Sequence, residues 1–185
     1  MQLTAFALIG LPPKEVKCSN APAGNSEKLD DCEKKQICQK CADINNLAAK
    51  GKLKRTVTDK GRNGGNNAAR TFRRRQGMRL RGLGPFGRRL KRKVSPGGLK
   101  KFTTDCAMQN WKEGRPPPRP GPNKKADPDM PGLSADHIHE IQLGGSPTSA
   151  RNLRMMSRKA NEWIGQDLQH YDPAKHMGVK PDCCK

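Results

Sequence analysis

Acidic, aromatic and branched apolar residues are all scarce in this chain of 185 residues. Leu, Ile, Val and Phe together number 28, about 15 per cent of the total, which at a formal net charge of +20 excludes a single packed globule running end to end. Only 17 Asp and Glu offset 37 Lys and Arg, an imbalance that points to a polyanionic partner. In and beside the most basic stretch the aromatics are Phe72, Phe86 and Phe102, so that stretch is no base-stacking platform and its expected contact is with a phosphate backbone. Long apolar runs are missing too. Residues 2–11 are apolar but lack a basic n-region and a clear cleavage site, and the run is too short to span a bilayer, so neither a signal peptide nor a transmembrane segment is supported.

What is present is unevenly distributed. Between Lys52 and Lys101 lie 18 of the 37 basic residues, with Asp59 the single acid. Glycines such as Gly64, Gly65, Gly82 and Gly97 are scattered among them, which reads as a mostly irregular basic arm with at most short helices, ordering on a partner. Seven prolines between Gly114 and Gly132 mark a semi-rigid spacer and a domain boundary. Ahead of the arm, residues 26–49 read as a helix capped by Ser26, with Ile37, Cys41, Ile44 and Ala48 along one face. The expected organisation is a segment with a Cys-bearing helix (1–50), a basic nucleic-acid-binding region (51–113), a Pro-rich linker (114–131), a folded module (132–172) and a tail (173–185).

The seven cysteines are an odd number, so at least one thiol is unpaired in a monomer. Cys38-x-x-Cys41 lacks a second CxxC or a His pair, and a structural Zn²⁺ at these cysteines with Cys18 or Cys32 is not expected. Disulfides to Cys18 or Cys106 and reduced thiols stay open.

The chemistry is concentrated in Ala135-Asp136-His137-Ile138-His139-Glu140-Ile141-Gln142-Leu143-Gly144-Gly145, then Asn152-Leu153, then Asn161. Asn152 and Asn161 follow His137 by fifteen and twenty-four residues. Residues 134–141 read as a strand, 142–151 as a turn-rich loop, 152–156 as a second strand and 157–169 as a helix with Ser157 at its N-cap. Ala160, Trp163, Ile164 and Leu168 recur at helical spacing and would pack on the strands, with Asn161 beside them facing the first strand. Adjacent residues of a regular strand point to opposite faces, so Asp136 and His137 reach one centre only through a twist or a bulge. A neutral imidazole, with an ordinary pKa of about 6.5, can take a proton from water near neutrality. Phosphodiester hydrolysis needs such a base and a cation against the growing phosphate charge, and hard oxygen ligands suit Mg²⁺ or Mn²⁺.

Over roughly residues 132–170 the chain resembles the HNH nucleases and their endonuclease VII branch. The string Asn161-Glu162-Trp163-Ile164-Gly165-Gln166 resembles the nuclease tips of bacterial polymorphic toxins. The resemblance implies an α+β fold: a small ββα-metal module at the C-terminus, preceded by a mostly helical or irregular basic region. It implies His137 as general base, Asp136 and Asn161 as metal ligands, and Asn152 as the brace of the loop between the strands. Gly165 stands where other HNH proteins carry a second helical ligand, so an oxygen-rich site for Mg²⁺, with Mn²⁺ as alternative, is expected ahead of a His-rich zinc or nickel site. His139, Glu140, Arg151, Arg154, Arg158 and Lys159 are accessory candidates for phosphate or metal. For Glu140 a surface pair with Arg151 or Arg154 is the plainer fate, while for His139 a packing role stands level with a contact to phosphate or metal.

The implied function is a metal-dependent endonuclease that grips DNA through backbone contacts, without membrane insertion. It would be the toxin domain of a secreted antibacterial effector, acting in the target-cell cytoplasm and held in check by an acidic immunity protein. A restriction, homing or phage HNH nuclease and a non-catalytic nucleic-acid-binding protein are the alternatives.

Overall fold

Asp30 starts a long helix by accepting from one of its free amides. The computed structural model describes residues 10–18, 28–56, 66–73, 75–76, 102–107 and 132–184. Helix α1 (Asp31–Ala49) opens on a reciprocal cap: the Asp30 carboxylate accepts from the Glu33 amide at 2.7 Å, and the Glu33 carboxylate accepts from the Asp30 amide at 2.9 Å. Asp31 and Glu33 in the first turn also suit the positive end of the helix dipole. The helix therefore begins later than the sequence suggested, and Ser26 lies outside the described residues.

Strand β1 (Lys14–Val16) precedes α1; strands β2 (Leu133–His137) and β3 (Leu153–Ser157), helix α2 (Arg158–Gln169) and strand β4 (Val179–Pro181) follow it. Among the described residues the architecture is α+β with two small sheets. β2 and β3 pair antiparallel from Leu133↔Ser157 to His137↔Leu153, and β1 pairs parallel with β4 from Lys14↔Val179 to Val16↔Pro181. The β2–β3 connection carries two short 3₁₀ turns, Ile141–Leu143 and Ala150–Asn152. Strand β2 is shorter than the 134–141 expected, because the chain leaves the ladder after His137 and turns at Glu140.

Both faces of the hairpin are covered, which is why all five residues of β3 are buried. On one side Leu133, Leu153 and Met155 meet Phe72 from the helical residues 66–73, with Ala135 and Phe102 alongside. On the other, Met156 joins Ile37, Cys41 and Ile44 of α1 and Ala160, Trp163, Ile164 and Leu168 of α2. Val16, Tyr171 and Val179 complete that second core, so β1, α1 and the tail pack against the hairpin and α2. The basic arm is helical at 66–73; its remainder beyond residue 76 and the Pro-rich linker lie outside the described residues.

Disulfides Cys18–Cys183, Cys32–Cys106 and Cys38–Cys184 fasten these pieces together, and Cys41 stays a free buried thiol. Linking cysteines 165, 74 and 146 residues apart restricts the unfolded chain severely, worth about 4–5 kcal/mol for each long loop on chain-entropy grounds. Among the described residues no helix is long and apolar enough to cross a membrane.

Candidate functional site

Strand alternation decides where the motif residues go. The β2–β3 register runs without interruption, so Ser134 and Asp136 face α1 and α2 while Leu133, Ala135 and His137 face Phe72. The twist or bulge needed to bring Asp136 and His137 to one centre does not occur within β2. The two side chains stand on opposite faces.

Asp136 is 2% exposed, and its carboxylate accepts from Lys40 Nζ at 2.8 Å and from Arg154 Nε at 3.1 Å. Lys40, itself wholly buried on α1, also pairs with the Glu140 carboxylate at 2.8 Å and donates to the His137 carbonyl. Two carboxylates and a carbonyl at the end of β2 thus converge on one cationic nitrogen. Burial pulls the Lys40 ammonium toward its neutral form, but Asp136 and Glu140 outweigh that and hold its pKa above the ordinary value. Arg154 continues the network to Asp43 of α1, and its Nη2 is buried without a partner among the described residues. Lys40 and Arg154 against Asp136, Glu140 and Asp43 leave a formal charge of −1 on the cluster.

Asn161 projects from α2 onto the same face of the hairpin as Asp136, where its Nδ2 donates to Ser134 Oγ at 2.9 Å. Ser134 precedes Asp136 by one strand repeat, so Asn161 and Asp136 are neighbours along one face. Gly165, one turn further along α2, has open space where a side chain would stand.

His137 and His139 each place Nε2 against a backbone carbonyl: Pro147 at 3.2 Å and Leu143 at 2.8 Å. A carbonyl only accepts, so each neutral ring carries its hydrogen on Nε2 and keeps the lone pair on Nδ1. For His137 that makes Nδ1 the atom able to receive a proton. His139 lies beyond the strand, and its ring closes the turn around Leu143.

Asn152 fixes the loop. Its Oδ1 accepts from the His139 amide at 2.8 Å, and its Nδ2 donates to the carbonyls of His139 at 2.8 Å and Ser146 at 2.9 Å. Gly145 allows this close approach, since a Cβ there would overlap the His139 carbonyl. Gly144 turns the chain in the left-handed region at φ +97°.

The basic candidates divide. Arg154 is spent on Asp136 and Asp43, and Lys159 pairs with Glu33 at 3.3 Å. Arg158 is half-buried at the start of α2, with its amide donating to the Gly132 carbonyl. Arg151 is exposed and, with Arg75, Phe72, Gln76 and Leu153, lines a cavity of about 600 Å³. Leu153 is the ladder partner of His137, so this cavity opens on the His137 side of the hairpin. Glu140 pairs with Lys40, not with Arg151 or Arg154 as its plainer fate had it. Ser157 precedes α2 as expected but does not cap it: its hydroxyl donates to Glu33 at 3.0 Å, and Gln36 accepts its amide at 2.6 Å.

Lys40 and Asp43 are the members that sequence reasoning missed. The signal was there, since Lys40 lies between Ile37 and Ile44 on the buried stripe of α1, and a charge in that position requires a partner. Comparison with protein-family models, with curated proteins and with solved structures finds no match for this chain.

Proposed function

We propose that this chain is a metal-dependent endonuclease of the HNH type acting on DNA, and the toxin domain of an antibacterial effector neutralised by an acidic immunity protein. The observation that carries it is the convergence of Asp136, Glu140 and the His137 carbonyl on a single cation. That convergence occurs at the mouth of a hairpin clamped by Asn152 and followed directly by a helix bearing Asn161.

These donors fit a hard divalent cation: two carboxylates, a backbone carbonyl and an amide on one face, in a cluster whose formal charge is −1. Asp136 and Asn161 would hold Mg²⁺ or Mn²⁺ with Glu140 joining them, and Lys40 would have to yield its place on the carboxylates. When bound, such an ion supplies positive charge against the phosphate and its leaving oxygen. His137 takes the proton of the attacking water on Nδ1, its Nε2 having left the Pro147 carbonyl. For this, the end of β2 must rotate to bring the ring to the Asp136 side, giving up the pairing of His137 with Leu153. Arg75 and Arg151 offer cations to the DNA backbone on the side where the ring now stands.

A second reading has its own support. Lys40 and Arg154 already satisfy Asp136, and His137 stands on the far face, an arrangement suited to a DNA-binding protein that does not cut. Supercoiled plasmid incubated with the purified full chain separates the two. Nicking that requires Mg²⁺ and stops on chelation supports the nuclease; retardation of the plasmid without nicking supports the binding protein.

A further inference from the structure

Four of the seven sulfurs fall in two overlapping groups. The ligand atoms of Cys38, Cys183 and Cys184 lie within 4.8 Å of one another, and so do those of Cys18, Asp182 and Cys183. Cys183 belongs to both groups. The four cysteines come from three segments distant in sequence: the end of β1, the middle of α1 and the tail after β4. Asp182 accepts from the Cys18 amide at 2.7 Å and so holds that cysteine beside the tail.

We propose that in the reduced chain Cys18, Cys38, Cys183 and Cys184 form a thiolate site for one zinc ion. The same four side chains then staple the fold in either redox state, as two disulfides when oxidised and as a metal site when reduced. Tetrahedral zinc with Zn–S near 2.3 Å sets its sulfurs about 3.8 Å apart, so the sulfurs of Cys38, Cys183 and Cys184 need to close by at most about 1 Å, while Cys18 is drawn in from beside Cys183. The remaining cysteines are set apart from this group. Cys41 is buried in the apolar core with Ile37 and Ile44, and Cys32 pairs with Cys106. Four thiolates favour a soft tetrahedral ion, unlike the oxygen donors of the hairpin.

The chemistry balances with a dithiol as reductant. Each of the two disulfides takes two electrons and two protons from one dithiol molecule, which leaves as its own disulfide. The four thiols formed release four protons as their sulfurs bind Zn²⁺. In a compartment that reduces disulfides, the ion would keep β1, α1 and the tail together where two crosslinks had been lost.

The test uses the full chain, reduced with a dithiol and then freed of it, equilibrated with excess Zn²⁺ and separated from unbound ion. Elemental analysis should give one zinc per chain when reduced and close to none when oxidised. Cys183→Ser and Cys38→Ser should each bring the reduced value close to zero, while the Cys32→Ser, Cys106→Ser double variant should keep it at one. Cobalt added to the reduced wild-type chain reads the donors without any substitution: thiolate-to-cobalt charge transfer of four-sulfur intensity with a tetrahedral visible band is expected. A reduced wild-type chain without zinc, zinc retained by the folded Cys183→Ser variant, or a cobalt spectrum lacking thiolate charge transfer overturns the proposal. None of these results depends on whether the chain cuts DNA.

Discussion

Replacing Lys40 by Met tests the charge cluster most sharply, because Met reproduces the side chain as far as Cε and removes the ammonium with its charge and hydrogen bonds. The ammonium is fully buried and bonded to Asp136, which is 2% exposed, so the substitution strands a carboxylate that water cannot reach. Breaking a buried pair in this way costs about 3–5 kcal/mol. For a chain of this size each kcal/mol lowers Tm by about 2–4 °C, so a fall of about 6–20 °C is expected. Glu140 adds little to that figure, since its partly exposed carboxylate can be solvated in place of the lost pair. If the oxygens around Lys40 form a cation site, Mg²⁺ should recover part of the loss in Lys40→Met and stabilise the wild-type chain less, because there it must displace Lys40 from the carboxylates. Thermal denaturation in chelator and in Mg²⁺, with Asp136→Asn and the Lys40→Met, Asp136→Asn double variant completing the cycle, reads each quantity. A loss below about 1 kcal/mol, or an equal response of both proteins to Mg²⁺, would refute the reasoning.

The raised pKa of Lys40 gives a further sign. Its stabilisation should be fully present below its ordinary value of about 10.4 and fade as pH rises through the higher folded value; urea titrations above pH 10 should show the loss in wild type but not in Lys40→Met. Asn152→Ala removes three loop hydrogen bonds and should cost about 2–4 kcal/mol in chemical denaturation, with Asn152→Asp intermediate because it still accepts from the His139 amide. Burial pushes the Cys41 thiol up to about 12, so its thiolate fraction near pH 8 is about 10⁻⁴, and iodoacetamide should label it only in denaturant. Labelling of native Cys41 at the rate of an exposed thiol would contradict its burial.

Local features were the legible ones. The hairpin and α2 follow from alternation, the Gly144-Gly145 turn and the spacing of Ala160, Trp163, Ile164 and Leu168. Asn161 also faces the first strand as its place beside that stripe suggested. What periodicity could not show was long-range pairing. Lys40 and Asp136 are 96 residues apart, and β1 and β4 are three-residue strands at the two ends of the chain, too short for any pattern to announce. The disulfide partners depended on that same unseen closure, which brings the tail back to α1. The opposite facing of Asp136 and His137 was foreseeable from strand geometry alone, since the bulge that would unite them had no residue to signal it.

The central claim is metal-dependent cleavage, and it stands or falls on plasmid nicking by the full chain in Mg²⁺ against chelator, with His137→Ala and Asp136→Ala in parallel. Wild type should nick in Mg²⁺ and not in chelator, His137→Ala should lose at least about 10² in rate, and Asp136→Ala should require more Mg²⁺. Wild-type chain that binds plasmid without nicking it in Mg²⁺ or Mn²⁺, or His137→Ala that cuts at the wild-type rate, would contradict it.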